Sequence, residues 1–389
     1  MSGNALDLVR ERSIIVCCGT GGVGKTTVSA VLAVEAARQG RNAVVVTIDP
    51  AKRLANTLGL DTLSNTANEI DRRWWDPDGT ASAGGRLSAL MLDTKSTFDG
   101  LIAKYSAEPE QAERIVENRF YRSISSALSG TQEYMAMEKL YELHDEAGYE
   151  LIVVDTPPTR HALDFLDAPR RLTRLLDNRI FRLLMMPTRT YLRVAGRAVQ
   201  AFLRTVSKVV GAEPINDVVA FFRAFEGMEE GFRDRAIRVL ELLAGGSAAF
   251  VLVTSPRRDA VDEAAFFAAK LAESEMPVDA LVVNRVHPRF GEERPEGLRA
   301  RAGTLASVNS DPDRRGAAER LAALYSNLAD FQEISERERR LFEGMRSQVK
   351  DAAVTYVPFL SRDVHDFEAL SEVGEHLFAA EEVEARAAG

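Results

Sequence analysis

The sequence predicts an α/β protein, a mainly parallel, doubly wound sheet flanked by helices, with a helical insertion. Short apolar runs recur along the chain with helical stretches between them, the alternation of strands joined by crossover helices. These runs are nearly continuous in Val, Ile, Leu and Ala, as expected of strands buried on both faces. A glycine-rich loop joins the first run to the first helical stretch, which places the chemistry at the carboxyl edge of the sheet.

The elements follow in order. Residues 12–18 (RSIIVCC) form the first strand. Apolar spacing from 25 to 39 predicts a helix, and Gly40 ends it. Residues 42–48 (NAVVVTI) form a second strand and 87–92 (LSALML) a third. A fourth at 149–154 (YELIVV) runs into Asp155. Three more follow at 249–254, 280–284 and 353–357. Residues 95–147 read as mostly helical, and 170–245 as a longer helical block. The stretch 287–315 is polar and rich in Gly, Pro and Arg, and is expected to be a mobile loop.

The chain has 389 residues, enough for two or three domains. No Pro-, Gly- or Ser-rich linker divides it, so 1–389 is expected to be a single domain, with 170–245 an insertion inside it. With 46% hydrophobic and 28% charged residues it has an ordinary globular composition. A net charge of −9 argues against a general nucleic-acid binder. Cys17 and Cys18 are adjacent in one strand and cannot build a disulfide framework, which fits a cytoplasmic chain. The first residues have no apolar core, and no run approaches 18 apolar residues, so neither a signal peptide nor a spanning helix is expected.

Residues 19–26, Gly-Thr-Gly-Gly-Val-Gly-Lys-Thr, fit the pattern G-x-x-x-x-G-K-[ST] without a mismatch. Strand, glycine loop and helix come in the order a phosphate-binding loop requires. The glycines let backbone N–H groups turn onto an anion, and the helix N-terminus adds partial positive charge. The expected nucleotide contacts are Gly21, Gly22, Val23, Gly24, Lys25, Thr26 and Thr27. Lys25 is expected to reach the β and γ phosphates of ATP, and the Thr26 hydroxyl to bind Mg2+. Asp155, ending an apolar strand, is expected to hold the same Mg2+ opposite Thr26; the alternative is a helix-capping aspartate. Asp49 ends the second strand, where a carboxylate can orient the attacking water. A ribose contact or an Asp-Pro turn is the alternative. Asn284 ends another strand, and its carboxamide can donate to and accept from adenine at once.

The loop, the Asp49-Pro50-Ala51 segment and Asp155-Thr156-Pro157-Pro158-Thr159-Arg160-His161 occur together and in order. On these motifs the chain resembles the arsenical-pump-driving and tail-anchored-protein-targeting (ArsA-like) ATPases, over nearly its whole length. Ser129-Gly130-Thr131-Gln132-Glu133, Val253-Thr254-Ser255-Pro256, Val282-Val283-Asn284 and Val357-Pro358 resemble further segments of that family. The resemblance implies a P-loop NTPase fold and a dimeric ATPase. It makes Asp49-Pro50-Ala51 the first switch and residues 155–161 the second. It sets Asn284 on the adenine edge and Pro358 in the base pocket.

Two departures stand out. The family loop carries a lysine that crosses the dimer interface to the partner's nucleotide, and here that position is Thr20. Threonine brings no charge, so the chain alone is expected to turn over slowly unless another cation, such as Lys52 or Arg53, substitutes. A heterodimer with a lysine-bearing paralogue is the alternative to a homodimer. The chain also lacks the Cys-x-x-Cys pair of zinc-bridged members, which argues against a shared zinc and against arsenite activation.

Within 170–245, the clusters Phe181, Leu183, Leu184, Met185, Met186 and Phe221, Phe222, Phe225, Met228, Phe232 suit either an adaptable apolar groove or a closed core. Between Arg170 and Lys208 the only acid is Asp177, a basic stretch that suits an anionic membrane surface or a solvated, ion-paired face. The expected function is a nucleotide-driven dimer handling a hydrophobic or membrane-directed protein client. A nearly inactive regulatory subunit of a heteromeric ATPase is the alternative. A partition or septum-site ATPase fits less well, because those proteins keep the first lysine. A nitrogenase-type iron protein is excluded by the absence of cluster cysteines.

Overall fold

The computed structural model describes residues 5–49, 53–127, 131–157, 224–274, 276–307, 312–346, 348–349 and 352–379, together with positions 173, 174, 177, 217, 218 and 220–222. Eight strands form one sheet: β1 Ile14–Gly19, β2 Asn42–Thr47, β3 Asn68–Glu69, β4 Arg86–Met91, β5 Leu151–Asp155, β6 Ala248–Thr254, β7 Ala280–Val286 and β8 Ala353–Pro358. Their order is β3-β4-β2-β5-β1-β6-β7-β8. Every pairing is parallel except β3 with β4. The seven longer strands are those read from the apolar runs. β3 is a two-residue antiparallel edge strand, too short and too polar to leave a pattern.

The two faces of β1 explain its sequence. Ile15 and Cys17 join the core under helices Lys25–Arg38 and Phe367–Phe378. Ile14, Val16 and Cys18 join the core under helix Arg258–Glu273 and the end of helix Pro312–Arg346. A strand covered on both faces needs apolar residues at every position. Cys17 and Cys18 thus act as small buried hydrophobes on opposite faces, and burial pushes both thiols up.

The stretch 287–315 is not an irregular loop. Helix Pro295–Ala306 lies within it, and helix Pro312–Arg346 begins before its end. Proline is well suited to the first helical turn. Leu298 and Ala302, four apart, are buried on one face, and the two helices pack together. Polar composition hid a narrow apolar stripe. At 1.5 Å per residue the 35-residue second helix is about 50 Å long.

A third core lies among the helices of 95–147. Phe221, Phe225, Met228 and Phe232 pack there with Leu101, Ile102, Ile115 and Tyr121, and Phe222 packs against its edge. Phe225 and Phe232 have ring centroids 5.1 Å apart, and Tyr121 and Phe221 stack at 6.2 Å. This half of the Met/Phe cluster is closed core. The half from Phe181 to Met186 and most of the basic stretch lie outside the described residues. Arg235, on helix Glu229–Ala244, and Glu138, on helix Thr131–Tyr141, form a buried ion pair beside this core. The Arg235 guanidinium also sits 3.8 Å over the Tyr141 ring.

Candidate functional site

Register brings the predicted residues to one edge. Cys17 and Thr47 are both level with Asp155, and Gly19 is level with Val253. The carboxyl ends of β1, β2, β5 and β6 therefore converge where the glycine loop leaves β1.

Glycine is obligatory at two points of the loop. A Cβ on Gly19 (φ 148°) would lie 2.1 Å from the Val253 carbonyl oxygen. A Cβ on Gly24 (φ 98°) would lie 2.2 Å from the Asn284 amide nitrogen. The loop's carbonyls are tied down by side chains. Lys25 Nζ donates to Thr20 O at 2.8 Å, Arg285 Nη1 to Gly22 O at 3.0 Å, and Asn284 Nδ2 to Val23 O at 2.8 Å. Gly24 O accepts from Val28 N–H at 3.0 Å, the first turn of helix Lys25–Arg38. A trans peptide points its N–H away from its C=O. The Gly22 and Val23 carbonyls, held from β7, therefore leave the following N–H groups turned away from that strand, and an anion at a helix N-terminus is favoured.

Lys25 is buried with its ammonium inside this site. Burial lowers its pKa, and the charges of Asp155 and Asp49 pull it back up. Asp155 is 1% exposed. Its Oδ2 accepts from Thr26 Oγ1 at 2.8 Å and from Thr47 Oγ1 at 3.0 Å. Its Oδ1 is buried and has no hydrogen-bond partner among the described residues. Burial pushes the carboxyl up to about 6, against the opposing pull of the Thr26 hydroxyl and Lys25. A buried anionic oxygen with no donor, beside a threonine hydroxyl, is a donor set suited to a hard cation such as Mg2+. Among the described residues no cluster of three or more His, Cys, Asp or Glu side chains could hold a metal.

Asp49 follows β2 at the same edge. Its N–H donates to Thr47 Oγ1 at 3.2 Å, and its carboxylate lies 3.8 Å from Arg53. Thr47 therefore links the backbone of Asp49 to the carboxylate of Asp155. Sequence reading missed Thr47, although it is the one hydroxyl in an otherwise apolar run, placed at the strand end. The Thr156 hydroxyl donates to Cys17 O at 2.7 Å and ties the end of β5 to β1.

Asn284 reaches the site, where one amide N–H donates to Val23 O and its Oδ1 accepts from Arg285 N–H at 2.9 Å. Pro358 ends β8, level with Val286. Thr20 is buried at the loop's start. Arg53 is well exposed, and Lys52, Pro50, Ala51 and His161 lie outside the described residues. No helix among the described residues is long and apolar enough to cross a membrane.

A family model described as anion-transporting ATPase matches residues 12–306. ATPase get3 of Aspergillus terreus is 28% identical over 179 residues, which cover 45% of this chain and 49% of the fungal protein. An uncharacterized protein of Streptomyces coelicolor is 28% identical over 277 residues, 70% of this chain and 62% of that one. ATPase GET3B of Arabidopsis thaliana is 26% identical over 291 residues, 72% of this chain and 65% of the plant protein. The chain spans less than two thirds of the length of each of these relatives.

Proposed function

The chain belongs to the anion-transporting ATPase family, and on that premise we propose that it binds and hydrolyses Mg-ATP as a dimeric nucleotide switch. The observation that carries this reading is the Asp155 arrangement, in which one oxygen takes two hydroxyl donors and the other, buried, takes none among the described residues. Thr26 and Asp155 would hold Mg2+, which when bound offsets negative charge on the phosphate oxygens. The loop N–H groups from Gly21 to Thr27 would cradle the phosphates. Lys25 would turn from the Thr20 carbonyl to the β and γ oxygens. Asp49 would orient the attacking water. Asn284 and Pro358 would border the base, with Asn284 using the hydrogen-bonding capacity its loop contacts leave open.

Thr20 favours a second reading for this chain on its own, a slow ATPase that needs a partner. The partner is either a second copy with a substitute cation or a paralogue that carries the lysine. In both readings 170–245 is the segment for a hydrophobic protein client and for peripheral contact with a membrane, in a cytoplasmic protein that binds no nucleic acid. These points rest on the resemblance and on the composition of that segment.

A thermal melt tests the site. Mg-ATP should raise the melting temperature of the wild-type chain and leave Lys25→Ala unmoved. An unchanged ATP-induced shift in Lys25→Ala overturns the assignment.

A further inference from the structure

We propose that Arg285 is a positioning residue for the phosphate loop, holding the Gly22 carbonyl outward from a bulge in β7 and bringing to the loop rim a cation that Thr20 does not provide. The proposal rests on the nucleotide reading above.

The bulge is the first observation. Pairing of β7 with β8 is regular from Ala280 with Ala353 to Asn284 with Val357, then shifts so that Val286 meets Pro358. Arg285 is the residue left over. It adopts φ 63°, the only non-glycine at positive φ among the described residues. Arginine has no local side-chain bond that makes this region comfortable, unlike Asn or Asp. Such strain persists where the surroundings over-determine it, and it clusters at functional sites. The over-determining contacts are present: Asn284 Oδ1 accepts the Arg285 N–H at 2.9 Å, which pins the bulge from within.

The contacts with the loop are the second observation. The two neighbouring residues of the bulge grip two neighbouring loop carbonyls, Arg285 on Gly22 and Asn284 on Val23. By peptide planarity, the N–H groups of Val23 and Gly24 then point away from β7 and into the loop. A regular strand would send the side chains of 284 and 285 to opposite faces of the sheet. The bulge re-aims one of them, so both reach the loop. Arg285 is exposed, so its charge is screened, and the carbonyl bond is the stronger part of its role.

The test uses the full chain and Mg-ATP, with affinity measured by calorimetry and melting temperature measured without nucleotide. Arg285→Gly removes the side chain and suits positive φ. Arg285→Asn tolerates positive φ but is too short to reach Gly22. Both should bind Mg-ATP at least tenfold more weakly, with nucleotide-free melting temperatures equal to or above wild type. Arg285→Lys, which keeps a donor and the charge, should recover part of the loss. Wild-type affinity in Arg285→Gly and Arg285→Asn overturns the proposal, as does a nucleotide-free melting temperature that falls along with the affinity. Lys25→Ala separates this from the parent reading. If Lys25→Ala loses affinity and Arg285→Gly does not, Arg285 alone is misassigned. If Lys25→Ala binds Mg-ATP normally, the nucleotide reading fails and this proposal fails with it.

Discussion

Asp155→Asn should stabilise the metal-free protein and abolish its response to Mg-ATP, two effects of opposite sign from one substitution. The magnitude follows from the carboxyl's environment. Burial raises its pKa from 3.8 to about 6, about two units, worth about 3 kcal/mol at 1.36 kcal/mol per unit. Between those values the folded chain keeps a proton that the unfolded chain releases. The group's stabilising contribution is therefore full below pH 3.8 and is lost as pH rises through 6. At pH 7.5 the wild type bears the whole cost of the buried charge, and an amide bears none. The Asn oxygen can still accept from Thr26 and Thr47, but its NH2 inherits the unpartnered position of Oδ1. An unsatisfied buried donor costs about 1 kcal/mol or more, which lowers the expected gain to at most about 2 kcal/mol. For a chain of 389 residues, unfolding entropy of about 0.8 kcal/mol/K converts this to a rise of at most about 2.5 °C. The assay is a set of melts in EDTA from pH 4 to 8, repeated at pH 7.5 with Mg-ATP. The variant's advantage should shrink toward pH 4, where the wild-type carboxyl is neutral. With Mg-ATP the wild type should rise and the variant should not. A variant less stable than wild type in EDTA that keeps its Mg-ATP response would refute the reasoning, since Asp155 would then be structural.

Three further outcomes are expected. Asp49→Asn should bind Mg-ATP within about twofold of wild type and lose most turnover. Loss of binding would make Asp49 a structural or metal residue. Thr20→Lys should raise steady-state phosphate release by the purified chain, and mixing in a lysine-bearing paralogue should do the same for the wild type. Brisk wild-type turnover, unaffected by Thr20→Lys, would show that another cation already serves. Arg235→Ala should cost about 3–5 kcal/mol in a urea melt at neutral pH, because it strands the Glu138 carboxylate. The loss should shrink in acid, since burial already raises the Glu138 pKa and protonation relieves the stranded charge. A loss below about 1 kcal/mol would mean that Lys104 and water compensate the stranded Glu138 carboxylate.

The parallel sheet was legible because burial on both faces demands near-continuous apolar runs, and β1, β2, β5 and β6 each carry one. The loop was legible because its glycines and Lys25 answer to local backbone geometry within eight residues. Asp155 was legible because a carboxylate ending a buried strand stands out. The helix pair in 287–346 was not, since Leu298 and Ala302 form an apolar stripe only once a second helix covers them. Whether Phe221, Phe225 and Phe232 lined a groove or filled a core was equally undecidable, because the answer depends on Tyr121 and Phe98, about a hundred residues earlier. The contacts that join the site's strands are tertiary. Thr47 meets Asp155 across 108 residues of chain, and Asn284 meets Val23 across 261. Residue types that answer to their own neighbours are written in the sequence. Contacts made by strand order, register and one bulge exist only after the sheet has closed around β1.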